Sequence, residues 1–399
     1  MFKKIEECAV NGKTVFLRAD MNVSIKNGVI LDDTRIKATI PTIEYLTKNK
    51  AKVVLATHLG KAKGNGFEEE YSLKIILNKL KELMPNIKFH YADDCIGKKT
   101  KDIIKNSNFG EVILLENLRF HKGEEENDKD FAKELAGLAD IYVNDAFSTC
   151  HRKHASMVGV PTLLDSYAGI NLEYELNNLT KLVSNPERPV MVMVGGSKVS
   201  TKLELLGSLV SKSDYVVVGG GMANTFLHAK GTNVGKSLKE EELKDDALNL
   251  LKSAKEHKCE VILPIDMVVA KEVAENQKTV TKEIGELTDD DIIVDIGPKT
   301  IELINNCLEK CKVVIWNGPV GIYEISPFNR GTDALAKIIA ERTSQNKIKS
   351  VAGGGDILAA LNKAGIADKF TYLSTAGGAF LKWLEKGILP AVEKLMVKE

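Results

Sequence analysis

No run among the 399 residues approaches eighteen consecutive apolar side chains, and Met1 to Val10 hold no apolar stretch of signal-peptide length. A cytoplasmic protein without a membrane partner is expected. Nor is there a surplus of either charge, since 55 lysines and arginines face 55 aspartates and glutamates. No global basic field points to a nucleic-acid partner, so any anion binding must come from local clusters. Only six cysteines are present (Cys8, Cys95, Cys150, Cys259, Cys307 and Cys311), scattered without a disulfide framework, which fits a reducing compartment. Cys307 and Cys311 lie one helical turn apart, but no second pair or nearby histidine completes a metal site, and they read as ordinary helix cysteines. Two phosphate-loop signatures are also missing. Gly12-Lys13-Thr14 and Gly235-Lys236-Ser237 resemble the end of a Walker A loop, but Glu7 and Lys230 stand where its earlier glycine is required. No G-x-G-x-x-G follows the first apolar run, which argues against a dinucleotide dehydrogenase.

What is present is length enough for two domains and a repeated unit of short apolar run followed by amphipathic helix. That alternation predicts an α/β chain of two lobes, each a parallel sheet with helices on both faces in the Rossmann-like manner. In the first half the runs are Val15 to Leu17, Val53 to Ala56, Val112 to Leu115 and Ile141 to Val143. In the second they are Val190 to Val194, Tyr215 to Val218, Val261 to Leu263, Ile292 to Val294, Val313 to Trp316, Ser350 to Ala352 and Thr371 to Leu373. Between the halves, Leu172, Leu176, Leu179 and Val183 keep helical spacing until Pro186 and Pro189 intervene. This stretch reads as a hinge helix over 171–188, between lobes at 1–170 and 189–384.

Parallel sheets bind ligands beyond the carboxyl ends of their strands, so the residues after each run carry the functional reading. In the first half they are Arg18 to Asn22, Thr57 to Lys61, Glu116 to His121 and Asn144 to His154, with Arg35 opening the first helix. Four of the seven histidines fall there. Arginine, lysine and histidine at one rim suit a small ligand with several negative charges, because guanidinium forks grip phosphate or carboxylate oxygens in pairs. In the second half the ends are Gly195-Gly196-Ser197-Lys198, Gly219-Gly220-Gly221, Asp295 to Pro298, Trp316 to Pro319, Gly353 to Asp356 and Thr375 to Gly378. Glycines let backbone amides approach phosphate, Lys198 and Lys202 add point charges, and Asp356 offers oxygen to magnesium. The second rim reads as a nucleotide site.

With these motifs in order, the chain resembles phosphoglycerate kinase along its whole length. The likeness rests on Arg18 to Asn22, Asp32-Asp33-Thr34-Arg35, His58-Leu59-Gly60, Leu115 to Phe120, His151-Arg152, Gly195 to Lys198, Trp316 to Pro319 and Gly353 to Asp356. The resemblance implies that 3-phosphoglycerate or 1,3-bisphosphoglycerate contacts Asp20, Asn22, Arg35, His58, Leu59, Gly60, Lys61, Arg119 and Arg152. It implies that magnesium ADP or ATP lies along Gly195, Gly196, Gly219, Gly220, Gly221, Asn317, Gly354, Gly355, Ile357, Gly377 and Gly378. Within that set Lys198 and Lys202 take the phosphates, Glu324 the ribose and Asp356 the metal, while Arg35 and Lys198 flank the transferred phosphoryl group. A monomer is implied, with segment 385–399, including Leu389 to Val392, returning to the first lobe. Five positions depart from the family pattern: Ser24, Lys61, Ile293, Ile357 and Ala376. The alternative class is a nucleotide-binding protein without turnover, which affinity without phosphoryl transfer would reveal.

Overall fold

Runs of valine, isoleucine and leucine with both faces apolar are the mark of strands covered on both sides, and here they become two parallel six-stranded sheets. The computed structural model describes residues 2–397. The described residues form two compact units, one running to Asn177 and resuming at Ile388, the other Asn178–Gly387.

In the first unit β1 (Thr14–Ala19) is followed by a small hairpin, β2 (Ile25–Lys26) and β3 (Val29–Ile30), then by β4 (Lys52–Ala56), β5 (Phe89–Tyr91), β6 (Val112–Leu114), β7 (Ile141–Asp145) and β8 (Asp165–Ala168). The sheet order is β5-β6-β4-β1-β7-β8, all parallel, so β1 and β4 lie at its centre. Every residue of β4 is buried, and Val53 and Leu55 join Leu17, Ile43 and Leu80 in the core.

The second unit carries β9 (Val190–Val194), β10 (Tyr215–Val218), β11 (Glu260–Ile262), β12 (Asp266–Ala270), β13 (Val280–Glu283), β14 (Ile292–Ile296), β15 (Val313–Asn317), β16 (Lys349–Gly353) and β17 (Tyr372–Ser374). Its parallel sheet has the order β11-β10-β9-β15-β16-β17, with Met191, Met193, Trp316 and Ala352 in the core. One expected strand belongs elsewhere. β14 sits in a separate antiparallel sheet, β13-β12-β14, so Asp295 to Pro298 are not a strand end of the parallel rim. Asp295 is instead a buried carboxylate accepting from the amides of Gly331 and Ile296.

The helix across the unit boundary runs Ile170–Leu179 and closes in a wider turn, Thr180–Ser184. Leu172, Leu176 and Leu179 are buried as their spacing predicts, but Leu182 rather than Val183 continues the buried face. Its start is held by Asp145 at the end of β7, whose Oδ1 accepts from the Leu172 amide at 3.0 Å. A Cβ on Gly169 would stand 2.4 Å from that oxygen, which is why glycine precedes the helix. Burial pushes the Asp145 carboxyl up to about 7, against the bonds from Leu172, Thr42 and Asn171.

A carboxyl that holds its proton more tightly when folded loses that advantage once the solvent takes the proton. Asp145 therefore contributes stability that is complete below the unfolded value of about 4 and declines as pH rises toward 7. The Asp145→Asn variant can keep the bond from Leu172 without a charge. Urea unfolding at pH 5.5 and pH 8 should show the variant gaining on the wild-type protein as pH rises; a gap that does not move would contradict this.

The chain re-enters the first unit after Gly387, whose φ of +78° ends the helix Gly377–Lys386. Ala391 then donates to the Cys150 carbonyl at 3.1 Å, and Lys3 donates to the Leu395 carbonyl at 3.0 Å. Phe2 and Met396 form an antiparallel bridge.

Candidate functional site

The carboxyl ends of β1, β4, β6 and β7 gather one group of side chains. Asp20 accepts from Arg35, whose Nη1 lies 3.2 Å from Oδ2, and from the Ser148 hydroxyl at 2.5 Å. Arg35 also donates to the Asn22 carbonyl at 3.2 Å, and the Asn22 side chain accepts from the Gly60 amide at 2.8 Å. Gly60 has φ +66°, and its missing Cβ leaves room for the Tyr71 ring. Arg119 donates to the Gly60 carbonyl at 2.7 Å and pairs with Glu125 at 3.2 Å. Asn117 ties the same loop from behind, donating to the carbonyls of Leu59 and Tyr71 at 2.9 Å each.

Positive charge concentrates here. Burial depresses the His58 ring well below the ordinary histidine value, and Arg18, Arg119 and Arg152 drive it further down. His58 is therefore neutral at physiological pH. Burial and the neighbouring Arg152 and Arg18 likewise lower Arg119, while Glu125 opposes them. Leu59 is buried, so it offers this rim its backbone. Lys61 and Arg152 are exposed and form no hydrogen bond or ion pair from their side chains among the described residues. Lys61 is thus not tied to the cluster by any bond. Ser148 and Asn117, which hold the group together, are short polar side chains with no charge to mark them in sequence.

In the second unit the ends of β9, β10, β15 and β16 converge. Lys202 bridges the Gly195 carbonyl at 2.7 Å and the Asn317 Oδ1 at 2.6 Å, and Asn317 donates onward to the Gly353 carbonyl at 2.5 Å. Burial lowers the Lys202 ammonium to about 8, with Asp356 pulling the other way. Backbones run close enough to require glycine: a Cβ on Gly195 would meet the Pro319 carbonyl oxygen at 1.8 Å. Beside them lies a cavity of about 600 Å³ whose lining includes Gly196, Gly220, Gly221, Ile293, Glu324 and Asp356. Helices begin at Gly220, Gly355 and Gly377, presenting amides at this edge. Gly219 is buried against Val320, while Gly354 holds φ +113° beside Asn317. Lys198 is exposed just beyond β9, and Gly378 is exposed in the first turn of its helix. Ile357 differs from the others, for its side chain lies in the hydrophobic core and only its backbone belongs to the helix start.

Among the described residues one group of three metal-ligating side chains comes together, Asp94, Cys95 and His121. His121 Nε2 already lies 2.6 Å from Asp94 Oδ1, and the Cys95 thiol donates to the Glu116 carbonyl at 2.9 Å. The group is internally satisfied. Cys307 and Cys311 are buried in the core, the Cys311 thiol donating to the Cys307 carbonyl at 3.3 Å.

Two α/β units, one with a cationic strand-end cluster and one with glycine turns around a lysine and a carboxylate, define a phosphotransferase-like class. A family model described as phosphoglycerate kinase matches residues 5–387. The phosphoglycerate kinase of Rhizobium meliloti is 49% identical over 395 residues, spanning 99% of this chain and 98% of that protein. That of Xanthobacter flavus is 49% identical over 383 residues, 96% of each. The solved phosphoglycerate kinase of Coxiella burnetii has a TM-score of 0.91 at 40% identity, covering 99% of both chains. That of Pyrococcus horikoshii OT3 has a TM-score of 0.77 at 32% identity, covering 99% of this chain and 98% of that one. The chain belongs to the phosphoglycerate kinase family and is a kinase, a phosphotransferase.

Proposed function

We propose that the chain catalyses reversible phosphoryl transfer from 1,3-bisphosphoglycerate to ADP, giving 3-phosphoglycerate and ATP. The pairing of a cationic strand-end cluster in one unit with a cavity lined by Gly196, Gly220, Gly221 and Asp356 in the other, Lys202 lying against Gly196, carries this reading. The three-carbon ligand belongs to Asp20, Asn22, Arg35, His58 to Lys61, Arg119 and Arg152, and the nucleotide to the glycine rim with Lys198, Lys202 and Glu324. The active form is a cytoplasmic monomer.

Asp356 fits a magnesium ion carried with the nucleotide. It is an exposed oxygen donor on the cavity, and its carboxylate has no hydrogen bond or ion pair among the described residues. Magnesium, when bound, would screen charge between phosphate oxygens. The chain's own residues do the rest.

In the ATP-forming direction a terminal ADP oxygen bonds to phosphorus as the bond from phosphorus to the acyl oxygen breaks, releasing a carboxylate. Both the nucleophile and the leaving group are anions at neutral pH, so no proton moves and no general base is required. Mutual repulsion is the obstacle. Arg35 from the first unit and Lys198 from the second would flank the transferring group and neutralise it. Because each ligand has its own unit, catalysis would need closure about the segment 171–188 to bring the reacting atoms within about 3 to 3.5 Å and to exclude water.

The test is a coupled assay of ATP and 3-phosphoglycerate with magnesium. Robust turnover is expected, and tight binding of both ligands without turnover would overturn the reading. The depressed Lys202 adds a second check. Phosphates beside it would favour the ammonium, so ADP binding near pH 8 to 9 should take up protons, and affinity should fall as pH rises through that range. Calorimetry in buffers of different ionisation enthalpy measures the uptake, and zero uptake would remove Lys202 from the phosphate contacts.

A further inference from the structure

Beneath the cationic rim lies a buried relay that the reaction scheme does not use. We propose that Glu124 and Ser156 are positioning residues which, through Arg18, hold His58 in the tautomer with its proton on Nε2, leaving that N–H as a donor to the anionic three-carbon substrate. The substrate part rests on the function proposed above; the tautomer does not.

With Glu124 as a carboxylate, which burial opposes and Arg18 and the two Ser156 bonds favour, each bond in the relay has one direction. Arg18 has donors and no acceptor. Its Nε donates to the Ser156 hydroxyl oxygen at 2.9 Å, so the hydroxyl hydrogen must point elsewhere, and it goes to Glu124 Oε1 at 2.6 Å. The Ser156 amide donates to the other Glu124 oxygen at 2.9 Å. At the far end Arg18 Nη2 lies 3.2 Å from His58 Nδ1. A guanidinium N–H facing that nitrogen requires a lone pair there, which places the single ring proton on Nε2. That atom has no hydrogen-bond partner among the described residues. An imidazolium would set N–H against N–H, and the charges of Arg18, Arg119 and Arg152, with His154 beside them, oppose it as well.

The relay is enclosed. Arg18 is 1% exposed and Glu124 and Ser156 are fully buried, so none of the three touches substrate. Tyr142 fixes Ser156 from behind by donating to its carbonyl at 2.8 Å. Glu124 supplies the only carboxylate bonded to Ser156 among the described residues, and the Ser156 hydroxyl carries its influence to Arg18. A glutamine at 124 cannot accept from both Ser156 groups. Its amide would donate to one of them, either opposing the Ser156 N–H or turning the hydroxyl toward Arg18.

The experiment is nitrogen-15 NMR of histidine-labelled protein without substrate, the His58 signal being assigned with His58→Gln, alongside kinetics of Glu124→Gln. Wild-type His58 should show an unprotonated Nδ1 and a protonated Nε2 across neutral pH, and Glu124→Gln should disturb that pattern. The KM for 3-phosphoglycerate should rise about tenfold with kcat within about twofold, and Glu124→Asp should recover part of the loss. In a His58→Ala background the same Glu124→Gln change should add less than about twofold. A protonated Nδ1 in the wild-type protein, or fully additive effects, would overturn the proposal. Should Glu124→Gln not fold, Ser156→Ala is read in the same way. If the wild-type protein lacks turnover, the proposed function fails while the NMR still decides the tautomer.

Discussion

Replacing Arg35 by alanine is expected to lower kcat at least about a hundredfold, near 2.7 kcal/mol of transition-state stabilisation, with little change in melting temperature. Arg35 is the second residue of the helix Thr34–Lys48 and is partly exposed, so its loss opens no core cavity. Its Nη1 is aimed by Asp20 and the Asn22 carbonyl, and Asp20 keeps the Ser148 hydroxyl when the arginine is gone. Arg35→Lys should lie between the two, because it retains charge and gives up the fork. Steady-state kinetics checks both variants, with Lys198→Ala as the counterpart on the second unit. Activity within threefold of wild type in Arg35→Ala would remove Arg35 from the chemistry.

Gly195→Ala should abolish tight nucleotide binding and destabilise the second unit by about 3 kcal/mol, the upper end of ordinary overpacking. The added methyl would sit 1.8 Å from the Pro319 carbonyl oxygen and 2.6 Å from its carbon, and neither backbone atom can rotate away. Relief requires the turns after β9 and β15 to separate, breaking the Lys202 bridge between Gly195 and Asn317. Titration calorimetry should show ADP affinity reduced at least about tenfold and 3-phosphoglycerate affinity unchanged. Unaltered ADP binding would mean the turns yield more cheaply than their contacts imply. Gly207 provides the contrast. It lies inside the helix Leu203–Val210, and a methyl added there would meet nothing within 4 Å, so Gly207→Ala should stabilise by about 0.5 to 1 kcal/mol.

How legible the fold was depended on where each strand lies. Central strands such as β4 and β9 are apolar on both faces, and their runs stand out. β5 and β8 are the outer strands of their sheet and partly exposed, so neither carries an apolar run. Met267 to Val269 also form a short run, but β12 follows β11 with no helix between them, so an alternation of run and helix passes over it. β14 was visible as a strand while its antiparallel partners were not, because pairing direction leaves no trace in a single run. At the rims, arginines and glycine clusters after strands were conspicuous. The uncharged groups that join them, Ser148, Asn117 and Ser156, became visible only through their bonds. The core position of Ile357 also needed the helix geometry, since a residue after Asp356 could face either way.

The return of the chain at Ile388 has a consequence for synthesis. The second unit is one unbroken stretch inserted into the first, so the ribosome reads the whole of it before it makes the segment that closes the first. Until the last dozen residues emerge, the Leu395 carbonyl is not there for Lys3, and the Cys150 carbonyl waits for Ala391. The unit translated first is thus the one completed last, and a released chain cut at Gly387 would hold every residue of the second unit while the first lacked its closing segment and the bonds to Lys3 and Cys150.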